Sequence, residues 1–497
     1  MSPALPGRSR RADNHRYRPR SKPSARVSVA VACAAQLMNA INIGACPLLV
    51  PDIAGTLGGG ASSLSWVVSA YAIVFGALVL WGGRLTDAVG SRPILITGFA
   101  ISTAGAALAA VAPTAWVLIA GRIIQGIGAA LAVPGGLAWL AVSTTDPRRR
   151  SRNLAAFAAS GAIGFGAGAL AGGILSDAWG WRSVFVFECV VVLILTLLAW
   201  RLPSIAAPNK PAPSYWGAIL ISTALLLFAL WLALGSKTGW GEVTALTTMA
   251  LAGALWVGAA VHERRSTRPM IPHHLWRVPG LVGVLIATGL LYAAWAGSYY
   301  FGALALQELV GLSMTSAALW LAPLAVGALL GSRVAARALS RGQSRDSLII
   351  AGGAVCALGP IAASYLSERS HAVLYLAALF LAIVGQVIAF VAQSDLVVTL
   401  VGLDSAGIGG AMFNSAGQIG GGLGLAGLAL VFDASTDGAF GRFGLVSYPG
   451  AFRVAALLAL LATAAIVVVR FQLRRHTALS DASKSKRNPI PMTDSEA

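Results

Sequence analysis

Apolar residues along this chain fall in long runs separated by short polar segments rich in Gly, Pro and Arg. A helix needs about 20 apolar residues to cross a ~30 Å hydrocarbon core, and the runs have that length. Fourteen spans are predicted, at about 27–50, 64–82, 93–112, 114–143, 153–177, 183–200, 215–234, 242–261, 280–305, 314–336, 347–366, 371–393, 405–432 and 452–471. The run at 405–432 is the weakest of them, rich in Gly and carrying Asn414 and Gln418. Those at 215–234 and 242–261 read as simple apolar helices.

The polar segments supply an orientation. Of the 36 Lys and Arg residues, 30 fall in alternate segments, the two tails included; five fall in the intervening loops, and Arg122 lies inside a span. Basic residues collect on the cytoplasmic side. An even number of spans with both termini in the cytoplasm is therefore expected, in a cell membrane. The basic segment at residues 1–26 reads as a tail, because the full-length span after it is too long for a signal peptide.

Composition agrees and narrows the classes. The chain is 57% hydrophobic and 11% charged, against roughly 25% charged in soluble domains. Its net charge of +18 does not point to nucleic acid, because the basic residues punctuate the spans. The polar stretches near 202–214, 262–279 and 433–451 are too short to bury a core of their own. Cys33, Cys46, Cys189 and Cys356 lie in apolar runs with no metal or disulfide spacing. His273 and His274 are adjacent and have no carboxylate cluster beside them, and no nucleophile elbow or phosphate loop occurs. No enzyme, metal or cofactor is expected, and no nucleotide-binding module is present to supply ATP drive.

The polar residues inside spans are the candidates for chemistry. An Arg at a helix centre costs on the order of 3 kcal/mol on insertion scales. Arg122, with Gln125 one turn on in GRIIQGIGAALAVP, must therefore face a polar cavity, meet a partner or snorkel to the headgroups. Glu188, in WRSVFVFE, is the clearest carboxylate within any span; it reads either as a proton carrier or cation site, or as a structural pair with Arg182. Gln36, Asn39 and Asn42 share one face of the first span, and Asn414 and Gln418 share one face of the thirteenth. Each set reads either as interhelical hydrogen bonding or as the wall of a neutral polar cavity. Trp66, Tyr71, Tyr299 and Gln307 suit an apolar site with few donors, or an interfacial aromatic belt. GGRLTDAVGSR at 82–92 forms a basic, Gly-containing turn, faintly repeated in GSRVAARALSRGQSR after the tenth span. SGAIGFGAGALAGGIL carries glycines that permit close helix packing.

Taken in order, these segments resemble the 14-helix drug:proton antiporter family of the major facilitator superfamily over about residues 40–430. The resemblance implies an all-α integral membrane protein of two six-helix bundles plus two additional central helices. The organisation it implies is a cytoplasmic basic tail (1–26), an N-terminal bundle (27–201), two inserted helices with their loop (202–279), a C-terminal bundle (280–471) and a disordered cytoplasmic tail (472–497). It implies gating by Gly83, Arg84, Asp87, Gly90 and Arg92, although Ala88 stands where the family often has a basic residue. It implies helix packing by Gly164, Gly168, Gly172 and Gly173, with Ala169 in place of the family's Pro. It implies proton coupling at Arg122; at Glu188, where the family usually has Asn, proton coupling is expected from the chemistry of a carboxylate within a span and not from the resemblance. The family's acid of the first span falls at Asn42, which cannot titrate. Substrate contacts are implied at Asn39, Asn42, Trp66, Tyr71, Gln125, Tyr299, Gln307, Asn414 and Gln418. The expected activity is export of an amphipathic small molecule by alternating access, coupled to proton influx, by a monomer in the lipid bilayer. A major-facilitator importer or uniporter of a metabolite is the alternative, and a channel or membrane-embedded enzyme a remote one. The scarcity of membrane acids suggests less reliance on cationic drugs.

Overall fold

The computed structural model describes residues 25–58, 61–143, 146–203, 214–238, 240–267, 269–366, 372–402, 405–434 and 447–487. Of the expected tail at residues 1–26, residues 1–24 lie outside them and Ala25 and Arg26 open the first helix; the end of the chain at 488–497 also lies outside. The described residues are helical, with no strand among them, and hold 14 helical segments long and apolar enough to span a membrane. Lipid offers backbone groups no partner, so each run must satisfy its own N–H and C=O groups, and a helix does so.

The first six helices are α1 (Ala25–Leu57), α2 (Ala61–Val89), α3 (Ser91–Ala110), α4 (Ala115–Ser143), α5 (Pro147–Trp179) and α6 (Arg182–Ala199). Two more follow, α7 (Tyr215–Thr238) and α8 (Val243–Arg265). The remainder are α9 (Leu281–Glu308), α10 (Met314–Leu321), α11 (Leu324–Ser340), α12 (Arg345–Ala363), α13 (Ala372–Val401), α14 (Ala406–Ala434) and α15 (Ser447–Arg487). The tenth expected span is thus two helices. Pro323 stands at the junction, where its ring and missing N–H interrupt the ladder. Pro47 and Pro51 stay within a continuous α1, as does Pro134 within α4.

Several helices outrun the expected spans. The first two expected spans end at 50 and 82, whereas α1 and α2 reach Leu57 and Val89. The last helix runs on to Arg487, so residues 472–487 are helical and not the expected disordered tail. Apolar run length marks only the part of a helix that meets hydrocarbon, and a helix continues into the polar zone wherever no breaker stops it.

Within the first bundle α1 packs on α5, α4 on α2 and α3, and α6 on α3; within the second α9 packs on α14 and α15, and α13 on α11 and α12. The bundles meet along α2 with α14, α5 with α10, and α1 with α9. The α7–α8 pair forms a hairpin whose α7 lies on α2 and α14. Its α8 turns Val243, Leu246, Leu251 and Val257 outward, all exposed. Side chains of this kind cover much of the outer surface, as they do where the solvent is lipid.

Candidate functional site

A buried polar cluster occupies the first bundle. Arg122 is only 1% exposed and projects from α4 toward α1 and α2. Its Nε donates to Val67 O at 2.8 Å, and its Nη1 donates to Gln125 Oε1 at 2.9 Å and to Asn42 Oδ1. Its guanidinium lies 4.5 Å from the centre of the Tyr71 ring, within cation–π range. The Tyr71 hydroxyl donates to Asn39 Oδ1 at 2.8 Å. Gln125 Nε2 donates to Glu188 Oε2 at 2.8 Å. Glu188 is 2% exposed.

Six of the candidate residues therefore form one network, held by four helices. An isolated buried charge costs several kcal/mol. Here the cation is spread over a carbonyl, two amides and a ring face, and the same two amides, Gln125 and Asn42, also reach the carboxylate. Arg122 does not snorkel to the surface, and Glu188 bonds Gln125 while Arg182 turns to other partners. Arg182 donates to Ala112 O at 2.8 Å and lies 4.3 Å from the Trp181 ring centre. A cavity of about 20 Å³ lies beside Asn39, Asn42, Gln125 and Glu188, together with Ser102. That is about the space one water molecule needs, and far below the ~300 Å³ of a small-ligand pocket.

The other candidates lie elsewhere. Trp66 is buried in the apolar core near the junction of the bundles. Tyr299 reaches from α9 across that junction, its hydroxyl donating to Gly44 O of α1 at 2.8 Å. It stacks with Trp295 at 5.6 Å and meets Phe165 of α5 at 4.9 Å between ring centres. Gln307 donates to Ala303 O of its own helix at 3.1 Å. On α14, Asn414 is exposed and Gln418 half-buried, the latter beside Gly76 of α2. The nine expected substrate contacts are thus divided between the polar network, the apolar core and the bundle junction.

The glycines on α5 divide by partner. Gly164, Gly168 and Gly172 lie against Leu37, Ile41 and Ala45 of α1, whereas Gly173 faces Met314 and Ala318 of α10 in the other bundle. A Cβ at Gly168 would come within 2.4 Å of Ile41 O, so the two backbones touch. Helix α5 runs continuously through Ala169.

The expected 82–92 turn is shorter than read: residues 82–89 end α2, and only Gly90, with φ +105°, separates α2 from α3, a conformation that L side chains rarely adopt. Arg84 Nη1 donates to Met270 O at 2.9 Å and to Pro269 O, tying the turn to the loop after α8. Arg92 donates to Trp200 O at 2.5 Å, within its own bundle. Gly83 has only Pro134 Cβ near it, at 3.8 Å from a built Cβ. Asp87 is half-buried.

Four residues of this architecture were not among the candidates. Asp52 at the end of α1 accepts from Ser176 Oγ at 3.0 Å and Trp181 N at 2.8 Å. Asp177 at the end of α5 accepts from Thr315 N at 2.8 Å and Met314 N at 3.3 Å, at the start of α10. Acids at the end of one apolar run can meet the free N–H groups opening another, and that was the available signal. Gln386 and Gln393, seven apart on α13, are buried. Oε1 of the first and Nε2 of the second lack a hydrogen-bond partner among the described residues.

Comparison with known proteins accords with this architecture. The family model described as Major Facilitator Superfamily matches residues 32–425. A cephamycin export protein of Amycolatopsis lactamdurans is 30% identical over 91% of this chain and 94% of its own length. A methylenomycin A resistance protein of Streptomyces coelicolor is 27% identical over 76% of this chain and 79% of its own. The crystal structure of a peptide transporter in complex with sulfate superposes with a TM-score of 0.65 at 14% identity, covering 89% of this chain and 94% of that one. This likeness shows the fold alone. With its 14 spanning helices and the family match over most of its length, the chain belongs to the major facilitator superfamily of membrane transporters.

Proposed function

We propose that this transporter exports an amphipathic small molecule, driven by proton influx through Glu188. The observation that carries the reading is the burial of Glu188 within hydrogen-bond reach of Gln125, which in turn binds Arg122. A carboxylate in this position is paired electrostatically with Arg122 across the Gln125 and Asn42 amides. Protonation cancels its charge and leaves Arg122 to be balanced by neutral dipoles alone. The two protonation states therefore favour different packings of α4 against α1 and α6, and a ligand shifts a conformational equilibrium only through such a difference. Asn42 occupies the position of the family's usual acid but serves as an acceptor for Arg122, so Glu188 takes over the titrating role.

The substrate occupies the space between the bundles, a common location in transporters that alternate access by rocking two halves. Tyr299, Gln418, Asn414, Gln386 and Gln393 offer hydroxyl and amide groups with no fixed charge, which suits a broad apolar specificity. Charge asymmetry puts both termini and the Arg84 turn in the cytoplasm. On that orientation Asp177 and α10 close the outer side. Relatives named for antibiotic export and resistance support outward transport, and the protein acts as a monomer.

The test is Glu188→Gln in proteoliposomes with an imposed pH gradient. Gradient-driven flux is expected to fall at least about tenfold while substrate exchange without a gradient continues. Unchanged gradient-driven flux would overturn the assignment.

A further inference from the structure

A second cavity lies apart from the polar network and shares no residue with it. Its volume is about 1130 Å³, at or above the ~1,000 Å³ upper range of small-ligand pockets. Its walls come from α2, α7, α8, α9 and α14, with Gly76, Gly289 and Gly420 at the seam between the bundles. The body is apolar, with Leu80, Ile221, Ile286 and Ile419 among the lining side chains. One end differs sharply from the rest. There the lining includes Arg264, His273 and Arg277, all exposed, and the exposed indole of Trp276.

The charges at this end are set by the loop after α8. Arg84 holds the carbonyls of Pro269 and Met270, and Glu263 Oε2 accepts from Met270 N at 2.8 Å. His273 Nε2 sits 3.1 Å from Glu263 O. Glu263 thus shapes the loop, and its Oε1 is buried against Gly217 of α7. Arg264 and Arg277 have no ion pair among the described residues. Two guanidinium groups against one carboxylate, already engaged, leave the mouth positive.

We propose that this cavity binds a membrane phospholipid with a net negative headgroup. Its acyl chains would fill the apolar body, and its phosphate would meet Arg264 and Arg277. Guanidinium pairs phosphate in a bidentate, charge-assisted geometry, and basic pockets between spanning helices are suited to anionic headgroups. Trp276, next to Arg277, suits the membrane–water interface, where indoles concentrate. The occupant would enter sideways from the bilayer and lie between the inserted hairpin and the α2–α14 seam. The site would thereby give the α7–α8 pair a role that a six-plus-six bundle lacks. None of this depends on proton coupling at Glu188.

Native mass spectrometry of the full-length protein tests the assignment, with phosphatidylglycerol and phosphatidylcholine as probes at equal concentration. Wild type is expected to retain one phosphatidylglycerol per chain with about tenfold preference. Arg264→Ala with Arg277→Ala should abolish the preference, and Ala260→Trp, which fills the apolar body, should remove the bound lipid of either kind. Excess glycerol phosphate should not displace the lipid, because it lacks the chains. Equal retention of the two lipids by wild type would overturn the proposal, as would full retention by the Ala260→Trp variant or displacement by glycerol phosphate. The wild-type competition needs no variant to fold.

Discussion

Gln125 Nε2 donates to Glu188 Oε2 at 2.8 Å, and the Oε1 of the same amide accepts from Arg122 at 2.9 Å. This neutral side chain thus touches both a buried acid and a buried base, as Asn42 also does. Replacing it tests the link without removing either charge. Gln125→Leu should lower the unfolding temperature in detergent, with a loss of about 1–3 kcal/mol for leaving buried partners unsatisfied. It should also uncouple substrate flux from the pH gradient, measured as gradient-driven uptake into inverted vesicles. Coupling equal to wild type would exclude Gln125 as the bridge.

Arg122→Lys keeps the charge but not the planar fork. A lysine ammonium cannot reproduce donation to Val67 O, Asn42 and Gln125 while lying flat on the Tyr71 ring. Gradient-driven transport is expected to drop at least about tenfold, with the protein still folded by thermal unfolding. Full activity of the lysine variant would mean that only the charge matters.

Asp177 places a carboxylate on the opening N–H groups of α10, across the junction of the bundles. A charge at a helix N-terminus contributes about 0.3–1 kcal/mol. Asp177→Asn should therefore shift the population toward the form open on this side by roughly two- to fivefold. Spin labels at the exposed positions Ala178 and Leu319 report that separation. No change in the distance distribution would show that Asp177 does not latch the junction.

Gly44 lies where α1 meets α5, and a Cβ there would come within 2.2 Å of Phe165 O. Gly44→Val should cost about 1–3 kcal/mol through overpacking and weaken the Tyr299 hydrogen bond to the same residue. Gly55→Ala, on the same helix with nothing near its built Cβ, serves as the control and should not lower the unfolding temperature. Equal behaviour of the two variants would sink the contact argument.

Strong gradient-driven efflux of ethidium by the purified protein would argue against the expected preference for uncharged amphiphiles. A buried acid already committed to Gln125 has little capacity left for a cationic drug. Efflux is measured by loss of fluorescence from loaded proteoliposomes, and a rate no greater than that of protein-free vesicles is expected.

Much of the fold was legible in run length. Fourteen apolar runs became fourteen spanning segments because a hydrocarbon solvent leaves the backbone little choice. Where the reading missed, the cause was local or lay outside the membrane. Pro323 split one span into α10 and α11, and α15 continued past its apolar stretch to Arg487. The site was legible in part. Polar residues inside apolar runs are costly, so Arg122, Gln125, Glu188, Asn39 and Asn42 stood out. Their assembly into one network was not, because the helices that carry them are distant in sequence.

Composition and periodicity alone determined that this is a polytopic helical membrane protein with polar groups buried in its first half. Hydrophobicity is a property of each segment, so a segment suffices to read it. Only the tertiary structure decided which groups meet. It turned Asn42 from the site of a missing acid into an acceptor for Arg122, and Arg182 from a possible partner of Glu188 into a donor to Ala112. It also set Asp177 on a helix of the opposite bundle and left Arg264 and Arg277 at the mouth of an apolar cavity. Pairing depends on helix rotation and interhelical approach, and these follow from packing contacts between segments far apart in the chain.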